Sequence, residues 1–191
     1  MFKILAGMLL GVLMVPLAVL VWFEFGRPPV AVSDPQLPRE RQFAHFPLNK
    51  RIVSELAQTI PIQATEGNLI AGAEVYRDQC AACHGLHGKP SSFAAHMYPR
   101  APQLWETHKS SSVVGVSDDE VAATYWKVAN GIRLTGMPEY KKILSETEMW
   151  QVSLLLANAN KPLPAEAVEI LRGKTGSATA PAAPTVSTAK K

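Results

Sequence analysis

The chain has 191 residues, which allows one domain of ordinary size together with additional segments. Its 19 Lys and Arg against 16 Asp and Glu give a formal net charge of +3, yet acidic side chains slightly outnumber basic ones between residues 67 and 172. The central region therefore lacks the basic surface that is typical of nucleic-acid-binding proteins, and we expect no nucleic-acid partner.

Residues 1–23 contain an uncharged apolar stretch of 20 residues, from Ile4 to Phe23, which as a helix would be about as long as the ~30 Å hydrocarbon core of a bilayer. A secretory signal has a shorter apolar core and ends at small residues, whereas this stretch ends in Val21, Trp22 and Phe23. Lys3 and the N-terminal amine favour a cytoplasmic N-terminus. The sequence predicts an uncleaved single-pass anchor at residues 1–23, with the rest of the chain on the far side of the membrane.

Residues 24–66 are rich in proline, which favours a semi-extended linker over a packed core. A flexible chain of this length would have an r.m.s. reach of roughly 36 Å. Within it, the apolar spacing predicts one short helix from Asn49 to Ile60. The prolines of this linker are Pro28, Pro29, Pro35, Pro38, Pro47 and Pro61.

A helix-like apolar spacing at Leu69, Gly72, Ala73 and Tyr76 leads directly into the motif Cys80-Ala81-Ala82-Cys83-His84. Two thiols three positions apart can take up both vinyl groups of one porphyrin as thioethers, and a histidine directly after them can bind the iron. The motif therefore predicts one covalently attached haem c, with Cys80 and Cys83 as attachment points and His84 as an iron ligand.

Two other kinds of site use paired cysteines. A thioredoxin-like redox pair needs a βαβ pattern around it, and this sequence has no alternating run of strand length. A zinc site needs two further ligands at the spacing of a zinc finger, and the sequence has neither a second cysteine pair nor a pair of closely spaced histidines. Both sites are disfavoured relative to a haem.

On these residues the chain resembles the membrane-anchored monohaem class I cytochromes c of bacteria, over residues 67–172. The resemblance implies an all-α fold around the haem, with the first and last helices crossing at Gly72 and Tyr76 against Val152 and Leu155. It also implies that the segment Ala101 to Leu104 packs on the haem. The haem domain would lie on the periplasmic or extracytoplasmic side of the cytoplasmic membrane. We expect a backbone carbonyl between Gly88 and Leu104 to accept the hydrogen bond of the other ring nitrogen of His84.

An electron carrier needs a second axial ligand, because an open iron position binds oxygen or peroxide. Met137 lies 53 residues after His84 in the segment Thr135-Gly136-Met137-Pro138, which resembles the ligand loop of this family. We predict Met137 as the second ligand and keep His96 as the alternative. The other side chains that could bind iron are Met97, Met149, His87 and His108, and those that could donate to the haem propionates are Trp105, Trp126 and Arg133.

Two capping boxes predict further helices. Ser117 to Glu120 would open a helix that Asn130 and Gly131 close, and Ser145 to Glu148 would open the last one. We expect the small, polar and proline-interrupted tail at residues 173–191 to be disordered.

The function that these features favour is electron transfer and not enzymatic catalysis. Its partners would be redox proteins at the membrane, such as a quinol-oxidising complex as donor and a terminal oxidase or reductase as acceptor. The alternatives are a haem enzyme or gas sensor in which Met137 leaves the iron, and a docking subunit whose haem is structural. Catalysis would require a distal acid or base near an open iron position, and only His96 is a candidate for that role.

Overall fold

The computed structural model describes residues 2–109 and 111–174, and this part of the chain is helical. Over these two ranges no strand forms, although two isolated β-bridges pair Leu86 with Lys89 and Thr107 with Val114. The all-α prediction is thus confirmed. The chain divides into two compact units, residues 1–46 and residues 47–191. The predicted disordered tail lies, apart from Gly173 and Lys174, outside the described residues.

Seven α-helices are present in the described ranges. A π-helical turn, Tyr76–Cys80, joins α3 directly to α4, and a 3-10 turn, Phe93–His96, follows α4 in the next loop. The helices are α1 (Phe2–Phe25), α2 (Glu40–Ser54), α3 (Glu66–Val75), α4 (Ala81–His84), α5 (Val121–Asn130), α6 (Glu146–Ala157) and α7 (Ala165–Leu171).

Helix α1 contains the predicted anchor. Its part from Lys3 to Phe25 has 23 residues and a mean hydropathy of 2.7, so it is long and apolar enough to cross a membrane by length and composition. Pro16 lies inside this helix without ending it. A helix of this kind is compatible with a transmembrane anchor.

The helix expected within the linker is present, but it begins and ends earlier than predicted. Helix α2 runs from Glu40 to Ser54 and not from Asn49 to Ile60. The carboxylate of Glu40 accepts a hydrogen bond of 2.8 Å from the backbone N–H of Leu37, which stabilises the start of the helix. Apolar spacing does not specify where a helix begins, and Pro47 is accommodated inside α2.

The core of the second unit forms where α3 crosses α6. A Cβ atom on Gly72 would collide with the backbone carbonyl of Gln151 and would lie 3.2 Å from Cβ of Leu155. Tyr76, Val152 and Leu155 have no exposed surface, so the expected crossing is observed at these residues. The helix that crosses α3 there is α6, which is followed by α7 and is not the last helix of the domain. The helix α7 packs on α3, and α5 packs on α6.

One of the two predicted capping boxes is observed. Ser145 accepts from the N–H of Glu148, whose carboxylate accepts in return from the N–H of Ser145. The box at Ser117 is wrong, because α5 begins at Val121 and Glu120 caps it without a side-chain bond. The Ser117 hydroxyl instead accepts from the N–H of Val114, three residues upstream, so it stabilises a turn before the helix.

The crossing of α3 and α6 predicts opposite effects of alanine at two glycines of α3. Gly72→Ala should lower stability by about 1–3 kcal/mol, because its methyl group must push the helices apart. Gly67→Ala is the control: nothing lies within 4 Å of the added methyl, and alanine is the better helix former. Thermal unfolding followed by circular dichroism measures both. Equal unfolding temperatures for the two variants would contradict the close approach at Gly72.

Candidate functional site

The two cysteines lie on adjoining turns at the end of α3. The N–H of Ala81 donates to the carbonyl of Tyr76, five residues back. This helical turn therefore contains one residue more than an α-helical turn. Cys80 and Cys83 are half-buried and form no disulfide. Residues three apart in such turns share a face, so both thiols are available on one side of the segment.

The ring of His84 is held by one backbone carbonyl. Its Nδ1 lies 2.8 Å from the carbonyl oxygen of Pro102. Because a carbonyl only accepts hydrogen bonds, Nδ1 must carry the proton, and Nε2 keeps its lone pair. Burial lowers the pKa of His84, although the bond to Pro102 partly offsets this effect, so the imidazole is neutral at physiological pH. A neutral imidazole with a free Nε2 lone pair is a metal ligand.

The loop that carries Pro102 is fastened to the motif by further hydrogen bonds. The N–H of Leu104 donates to the carbonyl of His84 at 3.2 Å, and the Gln103 amide donates to the carbonyl of Cys83 at 3.2 Å. The oxygen of that amide accepts from the N–H of Ser91 at 2.6 Å. Gln103 thus bonds both Ser91, near the start of the loop, and Cys83 of the motif. The segment Ala101 to Leu104, which is predicted to pack on the haem, therefore lies beside the motif.

Two buried tyrosines bind backbone carbonyls around the motif. The Tyr76 hydroxyl donates to the carbonyl of Gly85 at 2.7 Å, and the Tyr140 hydroxyl donates to the carbonyl of Gln79 at 2.8 Å. Burial raises the pKa of Tyr76, and burial with the nearby thiols raises the pKa of Tyr140 to about 12. Both hydroxyls therefore stay protonated and remain donors. The sequence analysis did not predict a role for Tyr140. A buried tyrosine usually has a hydrogen-bond partner for its hydroxyl, but the sequence does not indicate which residue that partner is.

Met137 lies in a tight loop that folds back on the end of α5. Its N–H donates to the Thr135 hydroxyl at 3.1 Å, and its carbonyl accepts from the N–H of Ile132 at 3.2 Å. Gly131 has φ +65°, and a Cβ atom there would lie 2.6 Å from the carbonyl carbon of Pro138. The Met137 side chain is half-buried and packs against the hydrophobic core, as Cys80 also does.

The connection between this loop and the cysteine motif runs through Tyr140, three residues after Met137. Its hydroxyl bonds the residue before Cys80, and its pKa responds to both thiols. The fold therefore brings the segment that carries Met137 to the side of the motif, although the two are more than 50 residues apart in sequence.

The other side chains that could bind iron are placed differently. His87, His96 and His108 are exposed, and Met149 is a core residue that is 4% exposed. Met97 is half-buried, and its methyl group contacts Gly136. None of the three histidines has the half-buried position and fixed tautomer of His84.

The three predicted propionate donors also differ from one another. The indole N–H of Trp126 donates to Glu55 at 2.8 Å, and Arg133 is exposed. The indole nitrogen of Trp105 is buried, and its side chain interacts with the hydroxyl of Tyr76. Trp105 packs edge-on against Tyr76, next to the motif, with ring centroids 5.5 Å apart.

The chemistry of the cysteines fits a haem better than the alternatives. Burial and the neighbouring Cys83 raise the pKa of the Cys80 thiol to about 12, whereas a thioredoxin-like pair depends on a thiol with a lowered pKa. Within the described ranges no three His, Cys, Asp or Glu side chains come close enough to hold a metal ion, so a zinc site finds no support there. Two unpaired thiols and a neutral, oriented imidazole are the groups that haem c requires.

Comparison with known proteins identifies the family of this region. Residues 67–154 match the family model described as cytochrome c oxidase, cbb3-type, subunit III. No curated protein and no solved structure matches the chain. The matched region contains the Cys80-Cys83-His84 motif, the Met137 loop and most of α6, which agrees with the resemblance seen in the sequence. Residues 67–154 are therefore a class I c-type cytochrome domain, the kind of domain that transfers electrons through haem c.

Proposed function

We propose that this protein is a membrane-tethered electron carrier, or the cytochrome subunit of a respiratory complex, and not an enzyme. It would hold one haem c through Cys80 and Cys83, with His84 and Met137 as axial ligands. Its electrons would come from a quinol-oxidising complex and pass to a terminal oxidase or reductase. The haem domain would lie on the periplasmic side of the bacterial cytoplasmic membrane.

The observation that carries this proposal is the hydrogen bond between His84 and the Pro102 carbonyl. It leaves the Nε2 lone pair free and holds the ring in one orientation, directly after two unpaired thiols. A ligand fixed in this way needs little rearrangement when the metal gains or loses an electron. When bound, haem c would supply a one-electron Fe(II)/Fe(III) couple, and the protein supplies its position and surroundings.

The Met137 loop supports a stable second ligand. Its backbone is held on both sides of Met137, by the Thr135 hydroxyl and by the N–H of Ile132. A thioether on the iron raises the reduction potential relative to a second imidazole, which suits a carrier that works late in a chain. His96, which would have to act as acid or base in the enzyme alternative, is exposed and gives that alternative no support.

The first prediction concerns covalent attachment. The double variant Cys80→Ala/Cys83→Ala should contain no haem that survives denaturing gel electrophoresis, because each thioether needs one of these sulfurs. Haem staining of the gel measures this, and each single variant serves as a control that keeps one bond. Haem still covalently held in the double variant would refute the assignment.

The second prediction concerns the axial ligand. Met137→His should keep a six-coordinate haem and lower its potential by roughly 0.1–0.3 V, a part of the ~0.8 V range that axial ligands control. Met137→Ala should open the iron to carbon monoxide and remove the sulfur-to-iron charge-transfer band. Met97→Leu is the control, since it removes a neighbouring methionine. Loss of the low-spin spectrum in His96→Ala, with Met137→Ala unaffected, would instead indicate bis-histidine ligation.

The third prediction concerns the anchor. Deleting residues 1–23 should give a soluble protein with an unchanged haem spectrum, because no residue of the proposed site is removed. Electron transfer in membranes should then depend on its concentration, since the effective concentration that the anchor provides is lost. Oxygen consumption by membranes supplied with the truncated protein measures this. A shortened protein that stays bound to integral subunits at full activity would mean a fixed subunit and not a shuttle.

A further inference from the structure

Residues 47–66 belong to the linker by composition, but one of their side chains is buried like a core residue. Ile52 on α2 is 4% exposed, whereas its neighbour Val53 is 70% exposed. A helix cannot cover one of its own side chains to this extent, because side chains project outward from it. Ile52 is therefore covered by residues outside its own turn of α2, and it belongs to the compact unit that begins at Pro47.

A second contact attaches the end of α2 to the cytochrome domain. The indole N–H of Trp126 on α5 donates to the carboxylate of Glu55 at 2.8 Å, across 71 residues of sequence. Arg51 approaches the same carboxylate at 2.9 Å from the preceding turn. The bond from Trp126, together with the charge of Arg51, lowers the pKa of Glu55, so the acceptor is ionised at neutral pH. A hydrogen bond to an ionised acceptor is stronger than one between neutral groups.

We propose that residues 47–66 form a strap that is docked on the cytochrome domain through Ile52 and the Glu55–Trp126 hydrogen bond, and are not part of a free tether. The strap lies upstream of residues 67–154, so it is an addition to the cytochrome domain and not part of the matched region. It contacts α5, the helix that ends at Asn130 immediately before the Met137 loop.

The strap shortens the segment that can act as a tether. Between the end of α1 and the start of α2, only residues 26–39 are outside helices. As a flexible chain these 14 residues would have an r.m.s. reach of roughly 21 Å, compared with roughly 36 Å for the whole linker. The domain would therefore move over a shorter distance than the linker length alone predicts.

Amide hydrogen exchange on the full-length protein in detergent tests the strap. An isolated helix of 15 residues that contains a proline is marginal in water, so slow exchange at residues 50–56 requires docking. Ile52→Ser should raise exchange there about tenfold, and Glu55→Ala by about threefold to tenfold, because each removes a docking contact. Val53→Ser is the matched control, since it makes a similar change at an exposed position of the same helix.

The hydrogen bond itself is tested by combining variants. If Glu55→Ala and Trp126→Phe each act by breaking this bond, the double variant should exchange no faster than the faster single variant. Glu55 is exposed, so Glu55→Ala keeps the domain folded even if Ile52→Ser does not. Exchange in the wild type as fast as in a peptide of residues 40–60 would overturn the proposal, and so would equal effects of Ile52→Ser and Val53→Ser. The readout needs no electron transfer, so it is independent of the proposed partners.

Discussion

The hydrogen bond from His84 Nδ1 to the Pro102 carbonyl is the interaction on which the site depends. A neutral imidazole can carry its proton on either ring nitrogen, and a carbonyl beside Nδ1 selects the tautomer that leaves Nε2 unprotonated. The surrounding structure serves to keep that carbonyl in place. Gln103 and Leu104, the next two residues, both bond the backbone of the motif, so Pro102 cannot move without breaking these contacts.

The hydrophobic core and the site share residues, which explains how packing controls the chemistry. Tyr76 is fully buried at the crossing of α3 and α6, and its hydroxyl reaches the carbonyls of His84 and Gly85. The Tyr140 hydroxyl makes a similar bond to the carbonyl of Gln79, the residue directly before Cys80. These hydroxyls stay protonated because burial disfavours the phenolate, so they donate to the motif at every physiological pH.

The family match and the compact unit do not have the same boundaries. Residues 67–154 match the family model, whereas the compact unit begins at Pro47 and includes α7. Helix α7 packs on α3 and buries Ile170 and Leu171, so it completes the core beyond the matched region. On the N-terminal side, residues 47–66 contribute the buried Ile52 and the bond from Trp126 to Glu55. The compact unit therefore extends beyond the matched region on both sides.

The sequence by itself determined the features that depend on neighbours along the chain. The Cys80-Cys83-His84 motif, the long apolar helix and the capping box at Ser145 are local patterns, and each was readable because its chemistry is complete within a few residues. Local reading failed at Ser117, where a turn and a capping box have the same composition and packing selected the turn. Only the tertiary structure decided that Pro102 supplies the carbonyl for His84, that Tyr140 binds beside Cys80 and that Trp126 bonds Glu55. These partners are 18, 61 and 71 residues apart, and no sequence period specifies such pairs, because they depend on how the helices cross.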